Sequence, residues 1–440
     1  MYTHKPYHQT LRALLTELVR TQKKTASAAR NAATRLALLS LFPLASAAGS
    51  LSLHQAVEQA LAANHELRAL QYKAEQADIR LRAAGTLPDP KAQFTYFGQS
   101  VETRTGPQEA IYSLSQTIPW FEKLRVQKVQ ATLDAEARAL LYEEGRLRLK
   151  EAVTRSFSEV AYLTQTVHST EQNLQWIERA QQIVDQQVRA GLPLNALLRL
   201  EVELERTRDS LDSHAQALYS ERTGLAVLMA IDESELPVVD TLETPGKELA
   251  NADRLQTDLL TKNPELKALR RQLEGAEAET RRNKLQRFPD VILGINYIQI
   301  GDNGTPTLDA GRDSWNISIA VNLPIWEGKN RAMISAAHSA VHSIEQMYCQ
   351  RLRSLQSELS ATLNRHADNA RRMERYRETL IPLAEQALEN SQVAYESGQI
   401  SVLEIIDSER ALLDLQLKYW RTVAFLRQDQ AKIEALTGQL

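Results

Sequence analysis

The 440-residue sequence contains little cysteine, glycine or proline, and each shortage excludes a class of protein. Cys349 is the one cysteine, so an internal disulfide framework is impossible. The 16 glycines and 14 prolines leave long stretches without a residue that breaks helices. No apolar run reaches the roughly 18 residues that a transmembrane helix needs. The net charge of −3 comes without a basic stripe, so nucleic acid is not an expected partner.

Motifs that carry enzyme chemistry are also missing from the sequence. There is no P-loop, no HExxH or CxxC motif, and no Ser-His-Asp arrangement. His338 and His342 are spaced to bind a metal from one helix face with Glu345 nearby, or else they are ordinary surface groups. With no firm third ligand we favour surface groups. We therefore expect no enzyme activity, no resident metal and no cofactor.

What the sequence does contain is a duplication with an offset of about 200 residues, too large for a short solenoid repeat. The matching pairs are Asn64–Leu70 with Asn263–Leu269, Leu87–Pro90 with Arg287–Asp290, Ser113–Glu122 with Ser318–Glu327, and Ala190-Gly191 with Ser397-Gly398. The duplication predicts two related structural repeats and a symmetric architecture.

Each repeat follows the pattern of a helix, two strands, a very long helix and a second long helix. Ser52 is the expected N-cap of the first helix, Leu51 to Ala84, and Pro382 is expected to kink the last helical stretch. The predicted divisions are a first repeat at 48–231 with a hairpin at 91–118 and long helices at 120–231, a connector at 232–250, and a second repeat at 251–440 with a hairpin at 290–323 and long helices at 326–437.

Residues 1–47 resemble an export signal with an unusual N-terminal extension. Basic residues precede the short apolar run Leu36 to Leu44, and Ala45-Ser46-Ala47 supplies small residues for cleavage. The alternative is an amphipathic start to a cytosolic protein. We favour the signal peptide.

The stretch from Trp120 to Ala190 contains no proline and has apolar residues at helical spacing. About 70 residues at 1.5 Å each give a helix of roughly 105 Å. A compact globular domain does not need a helix of that length, so the helices are expected to bridge a distance.

The fourth predicted strand alternates strictly between apolar and small polar residues. One face carries Trp315, Ile317, Ile319, Val321 and Leu323, and the other carries Asn316, Ser318, Ala320 and Asn322. Strands of about 10 residues suit a tilted bilayer crossing. Four strands cannot close a membrane barrel, which needs at least about eight, so several chains must share one. The alternative is a small soluble sheet capped by helices.

Taken in order, these motifs resemble the TolC-like outer membrane efflux family over essentially the whole chain after Leu51. The strand ends Ser-Gln-Thr-Ile-Pro-Trp (115–120) and Asn-Leu-Pro-Ile-Trp (322–326) carry the resemblance, and the segment 394–407 is its strongest part. Residues 116–124 are similar to the heavy-metal (Czc/Cus-type) branch.

The resemblance implies a homotrimer in which a long α-helical barrel continues a 12-stranded transmembrane β-barrel with four strands per chain. It implies a passive outer-membrane exit channel, opened by a periplasmic adaptor (membrane fusion) protein and driven by an inner-membrane RND-type pump. The cargo would be metal cations or small toxic compounds. The alternatives are the duct of a type I protein secretion system and a soluble periplasmic coiled-coil protein.

The resemblance also implies functional residues. Matching Tyr395–Gly398 to the family pattern puts the acids of the periplasmic gate at Glu404 and Asp407, which share a helix face. Three copies would concentrate negative charge and select cations, whereas the alternative is a solvated helix face. The family often has a basic latch residue where this chain has Ile400.

Further positions follow from the same match. Gly191 and Gly398 are the predicted adaptor-facing hairpin tips. Trp120, Trp315 and Trp326 are predicted aromatics of the membrane interface. Trp176 and Trp420 are expected to pack between helices.

Overall fold

The structure is a computed structural model that describes residues 50–191, 194–242, 250–302 and 311–439. The predicted signal peptide at 1–47 lies outside these residues, as does part of the predicted connector. From Leu51 onward the chain forms one unit. The repeat and connector boundaries remain our prediction.

The described elements follow the same order in the two halves of the chain. The first half contains α1 (Leu53–Ala63), α2 (His65–Ala83), β1 (Lys91–Thr103), β2 (Gly106–Ile118), α3 (Phe121–Arg189), α4 (Asn195–Met229) and a 3-10 turn (Glu233–Glu235). The second contains α5 (Ala252–Lys262), α6 (Pro264–Leu285), β3 (Val291–Ile300), β4 (Ser314–Val321), α7 (Glu327–Arg375), a π-helical turn (Tyr376–Leu380), α8 (Ile381–Glu396) and α9 (Val402–Thr437). The expected mainly helical fold with a small β part and two structural repeats is confirmed.

The first helix differs from its prediction because it is broken at Asn64. Ser52 does cap α1, with Gln55 completing a capping box. At Asn64 the backbone leaves the helical region, and the side-chain oxygen accepts the Leu67 N–H at 3.0 Å to start α2. Its amide nitrogen donates to the Leu228 carbonyl at 3.0 Å, near the end of α4. The uninterrupted apolar stripe hid this break.

Asn263 repeats both contacts in the second half. It accepts the Leu266 N–H at 3.0 Å and donates to the Leu436 carbonyl at 3.0 Å, near the end of α9. The first residue of each duplicated motif therefore caps one helix and ties it to the last helix of its own repeat.

The long helices differ between the halves. α3 runs unbroken for 69 residues, whereas the equivalent stretch passes through the π-helical turn Tyr376–Leu380 before α8. Pro382 is the second residue of α8. It lacks an N–H for the Glu378 carbonyl, and its ring crowds that carbonyl, so the turn before it widens. The expected distortion at Pro382 is thus a π-turn. Among the described residues, none of the helices is long and apolar enough to cross a lipid bilayer.

Each half has its own apolar core near the short helices. Val153 and Phe157 of α3 pack with Leu225 and Met229 of α4 in the first. In the second, the equivalent cluster joins α5, α7 and α9; its fully or nearly fully buried members include Leu259, Leu355, Leu359 and Ile433.

The four strands form one antiparallel sheet in the order β1-β2-β3-β4. The central pairing joins the two halves, with Ile118 opposite Val291 and Leu114 opposite Ile295. Within this sheet, β1 and β4 are the two edges, and each has one paired side.

Candidate functional site

One face of the sheet is apolar and exposed to the surroundings. Phe94, Tyr112, Tyr297 and Trp315 lie side by side across the four strands. The ring centroids of Phe94 and Tyr112 are 5.0 Å apart, and those of Tyr112 and Tyr297 are 6.2 Å apart. Ile317 and Ile319 in β4 are 67% and 71% exposed. A continuous exposed apolar surface of this kind marks a contact with lipid or with another protein.

The opposite face carries small polar side chains. Gln93, Ser113, Asn296 and Asn316 form one row across the sheet, and the Asn296 amide donates to the Asn316 oxygen at 2.7 Å. Ile292 and Ile298 of β3 also lie on this face, which explains why that strand is apolar on both sides. Small uncharged groups of this kind suit a water-filled interior.

The junction of helices and sheet is held by a partly buried ion pair. The Lys123 ammonium at the start of α3 donates to the Asp290 carboxylate and to the Phe288 carbonyl, both at 2.8 Å. The Trp120 N–H donates to the same carboxylate at 3.1 Å. Burial alone would raise the pKa of Asp290, but the bonds from Lys123 and Trp120 lower it overall. The contact connects the first repeat to the first residue before β3.

The three tryptophans predicted for the membrane interface lie at the ends of strands. Trp120 follows β2 and stacks on Phe288 with centroids 5.1 Å apart. Trp326 follows β4 at the same end of the sheet and is 72% exposed, while Trp315 lies near the other end of β4 and is 66% exposed. Their placement at both ends is suitable for interfacial anchoring, which stays a prediction.

The far ends of the long helices form two tips. Gly191 follows α3 with φ of 107°, and Gly398 follows α8 with φ of 73°, both in the region that favours glycine. A side chain added at either glycine would meet only open space in the described residues. Both tips are therefore accessible surfaces; Leu192 and Pro193 lie outside the described residues.

Apolar side chains join the two tips to each other. Ile177, Val184 and Leu200 from α3 and α4 pack with Val402 and Ile406 from α9. Trp176 is partly buried against this cluster, as expected of a packing residue. Trp420 lies farther along α9, away from the tips, and is half-buried beside Tyr419.

Glu404 and Asp407 are exposed on one face of α9, with Glu404 in its first turn and Asp407 in its second. Glu404 also accepts from the Ser401 N–H and hydroxyl at 3.4 Å, so it completes a capping box. Within the described part of the chain, neither carboxylate has an ion-pair partner. Leu197 and Leu200 of the first repeat are instead partly and fully buried in the tip cluster.

Polar contacts between the tips were not found from the sequence. The Gln187 amide donates to the Tyr395 hydroxyl at 3.2 Å, and Arg410 lies 3.6 Å from the Glu203 carboxylate. Tyr395 belongs to the motif that located the gate, so its contact could have been suspected. Gln187, Glu203 and Arg410 carry no sequence signal because long helices contain many such side chains.

Farther from the tips, ion pairs attach α9 to its neighbours. Lys150 of α3 is 3.1 Å from Glu434, and Lys432 is 2.7 Å from Glu358 of α7. The Asp429 carboxylate, 2% exposed, pairs with Arg365 of α7. Ion pairs therefore hold the C-terminal half of α9, whereas apolar packing is its main contact near the tip.

The histidine pair on α7 does not form a metal centre of three or more ligands. His342 Nδ1 lies 3.0 Å from the Glu345 carboxylate. In the described residues, no group of three or more His, Cys, Asp or Glu side chains is arranged to hold a metal ion.

Comparison with known proteins agrees with this geometry. Residues 255–439 match the family described as outer membrane efflux protein. The chain is 21% identical to the cobalt-zinc-cadmium resistance protein CzcC of Cupriavidus metallidurans, over 92% of this chain and 94% of that protein. It is 23% identical to the outer membrane protein OprJ of Pseudomonas aeruginosa, over 82% of this chain and 78% of that protein. The solved structure of the outer-membrane channel OprN superposes with a TM-score of 0.76 at 18% identity, covering 88% of this chain and 90% of that one.

Proposed function

We propose, from the match of residues 255–439 to the outer membrane efflux protein family, that this chain is the passive outer-membrane exit channel of a tripartite efflux system. Its helical part lies in the periplasm. A periplasmic adaptor opens the channel, an inner-membrane RND-type pump supplies the energy, and metal cations or small toxic compounds leave through it.

The observation that carries this proposal is the unfinished sheet. Its apolar face is exposed, its other face is small and polar, and its edge strands β1 and β4 each leave one side unpaired within the chain. Unpaired backbone groups in lipid cost several kcal/mol each. Three copies of four strands would close a 12-stranded barrel and pair every edge.

The gate in this proposal lies at the second helical tip. Glu404 and Asp407 are exposed and have no cationic partner in the described residues, so three copies would place six carboxylates around a narrow opening. Like charges at short range repel, and the ring attracts cations. The apolar packing between the tips supports the closed state.

Adaptor docking is assigned to the tips at Gly191 and Gly398, because both are open surfaces at the end farthest from the sheet. The metal cargo is supported by the similarity to CzcC, which is named a cobalt-zinc-cadmium resistance protein. A gate lined by carboxylates suits that cargo.

Single-channel conductance in planar bilayers tests the gate. We expect Glu404→Gln/Asp407→Asn to lower the cation-to-anion permeability ratio, because the ring loses the charge that attracts cations. The open probability should fall as well, because the repulsion between the carboxylates that opposes closure is removed. The matched control is Glu385→Gln/Glu389→Gln, which removes the same charge from exposed positions on α8. An unchanged ratio in the first variant, or an equal fall in the control, contradicts the gate assignment.

The cargo is tested by deleting the gene. Increased sensitivity to cobalt, zinc or cadmium that the plasmid-borne gene reverses is the expected result. Unchanged tolerance together with the loss of a secreted protein would support the type I secretion alternative.

A further inference from the structure

The ion pair between Lys123 and Asp290 joins the two repeats. Two equivalent residues lie beside the edge strands of the sheet and do not contact each other within the chain. Lys123, the third residue of α3, pairs with Asp290, which directly precedes β3. Counted from the helix starts, Lys329 takes the place of Lys123, because each is the third residue of its helix. The duplication puts Asp89 in the place of Asp290, one residue further from its strand.

In the single chain these two counterparts cannot meet. Asp89 precedes edge strand β1 and Lys329 follows edge strand β4, on opposite sides of the sheet. Both residues are exposed, and neither side chain has an ion-pair partner among the described residues. Lys123, by contrast, is 8% exposed.

We propose that Lys329 of one subunit pairs with Asp89 of the next subunit, repeating between chains the Lys123–Asp290 contact within the chain. This inference rests on the trimeric assembly of the proposed function. The partner is a second copy of this chain, and the two edges carry opposite charges at equivalent places. Contacts within and between subunits would then alternate around the base of the barrel.

The aromatic contact at the same junction has a counterpart as well. Trp120 stacks on Phe288 within the chain. The equivalent residues are Trp326 and Leu87, which are 72% and 52% exposed. Pairing of the edges would cover both, and the Trp326 ring would pack on Leu87.

The same reasoning gives the register of the strands between subunits. Within the chain, Leu114 lies opposite Ile295. The duplicated strand ends make Ile319 the equivalent of Leu114, and the Pro-Asp pairs make Phe94 the equivalent of Ile295. Ile319 should therefore lie opposite Phe94 of the next subunit.

An independent check supports this register. Phe94 is on the apolar face of β1 and Ile319 is on the apolar face of β4, as their alignment with Tyr112 and Leu293 shows. A slip of one residue would place Ile319 opposite Gln93 or Thr95 and join an apolar face to a polar one. The register derived from the repeat keeps each face continuous.

Zero-length carbodiimide coupling tests the ion pair directly, since it links a lysine amine to a carboxylate only when the two are in contact. Trimers assembled from mixed unlabelled and ¹⁵N-labelled chains would be coupled, digested and analysed by mass spectrometry. We expect a conjugate of Lys329 with Asp89 in mixed-isotope pairs, and a conjugate of Lys123 with Asp290 only within one chain. Trimers that yield the second conjugate without the first overturn the inference.

A charge exchange separates this pair from assembly in general. Asp89→Lys and Lys329→Asp should each lower the temperature at which detergent-extracted trimers dissociate, and the double variant should recover most of that loss. If each single variant matches the wild type, or if the double variant is as weak as the sum of both, the pair does not exist. A protein that is monomeric in outer membranes would instead overturn the proposed assembly, and the pair with it.

Cysteine pairs test the register. In a Cys349→Ser background, Phe94→Cys/Ile319→Cys should form disulfide-linked oligomers on oxidation, whereas the matched pair Phe94→Cys/Ile317→Cys should not. Efficient coupling of the control and none of the first pair would place the strands in another register.

Discussion

The two halves of the chain share one plan and differ where function is expected. Asn64 and Asn263 make the same two contacts, and the glutamate two residues later pairs with an arginine of the long helix in each half: Glu66 with Arg148 and Glu265 with Arg351. Among the described residues, the π-turn lies in the second half, and Glu404 and Asp407 stand there in the places that Leu197 and Leu200 take in the first. The scaffold is thus built twice, and the specialised features are added to one copy.

The largest effect is expected from the contact that joins the halves. Asp290→Asn removes the anion while leaving Lys123 8% exposed, and loss of one partner of a buried pair costs about 3 kcal/mol. Chemical unfolding in detergent measures this. The control Asp78→Asn breaks an exposed ion pair with Arg82. It should change the free energy of unfolding by less than about 0.5 kcal/mol. Equal effects of the two variants would contradict the role of the junction.

The same pair predicts a pH dependence. Because the folded pKa of Asp290 is below its unfolded value, the stabilisation is present above the unfolded pKa, about 4. It is lost as the pH falls through the folded pKa. The difference between wild type and Asp290→Asn should therefore be constant at neutral pH and shrink below about pH 4. A difference that persists unchanged at lower pH would show that the carboxylate charge is not the cause.

The next largest losses of stability are expected from replacing Asn64 and Asn263, which each connect two helices by hydrogen bonds. Asn263 is 5% exposed, and Asn263→Ala removes a cap and leaves the Leu436 carbonyl without its bond, at a cost of about 2 kcal/mol. Asn64→Ala should cost about 1 kcal/mol because Asn64 is less buried and water can replace the lost bond. The unfolding midpoints of the two variants compare the halves directly. A larger loss for Asn64→Ala would reverse the ranking.

Smaller losses of stability are expected from breaking the equivalent ion pairs Arg148–Glu66 and Arg351–Glu265. Arg351 binds Glu265 through two bonds of 2.7 Å with both side chains partly covered, so Arg351→Gln should cost about 1 kcal/mol. Arg148 and Glu66 are 54% and 75% exposed, and Arg148→Gln should cost less than about 0.5 kcal/mol. Thermal unfolding at low and high salt checks both. The exposed pair should be the more salt-sensitive of the two.

A small gain of stability, rather than a loss, is expected from a change at the π-turn. Pro382→Ala restores an N–H to the Glu378 carbonyl, so the turn at 376–380 should relax toward an α-helix with a gain below about 1 kcal/mol. Hydrogen exchange of 376–382 should become slower, while the exposed control Glu385→Ala leaves it unchanged. Unaltered exchange in Pro382→Ala would mean that the proline does not cause the turn.

The elements that were predictable from the sequence are those whose signals are local. The proline-free stretch after Trp120 indicated α3, the alternation at 315–323 indicated β4, and the duplication indicated two structural repeats. The break at Asn64 was missed because the apolar stripe passes through it without a change of period. The contact between Gln187 and Tyr395 was missed because the two residues are 208 positions apart and no local pattern relates them.

The sequence alone determined the length of α3, the alternating faces of β4 and the presence of two copies, since periodicity and propensity act over a few neighbouring residues. Only the tertiary structure decided that Lys123 contacts Asp290, that β2 rather than β1 pairs with β3, and that an ion pair connects α9 to α3. These contacts depend on which distant surfaces come together, and a local pattern leaves that choice open.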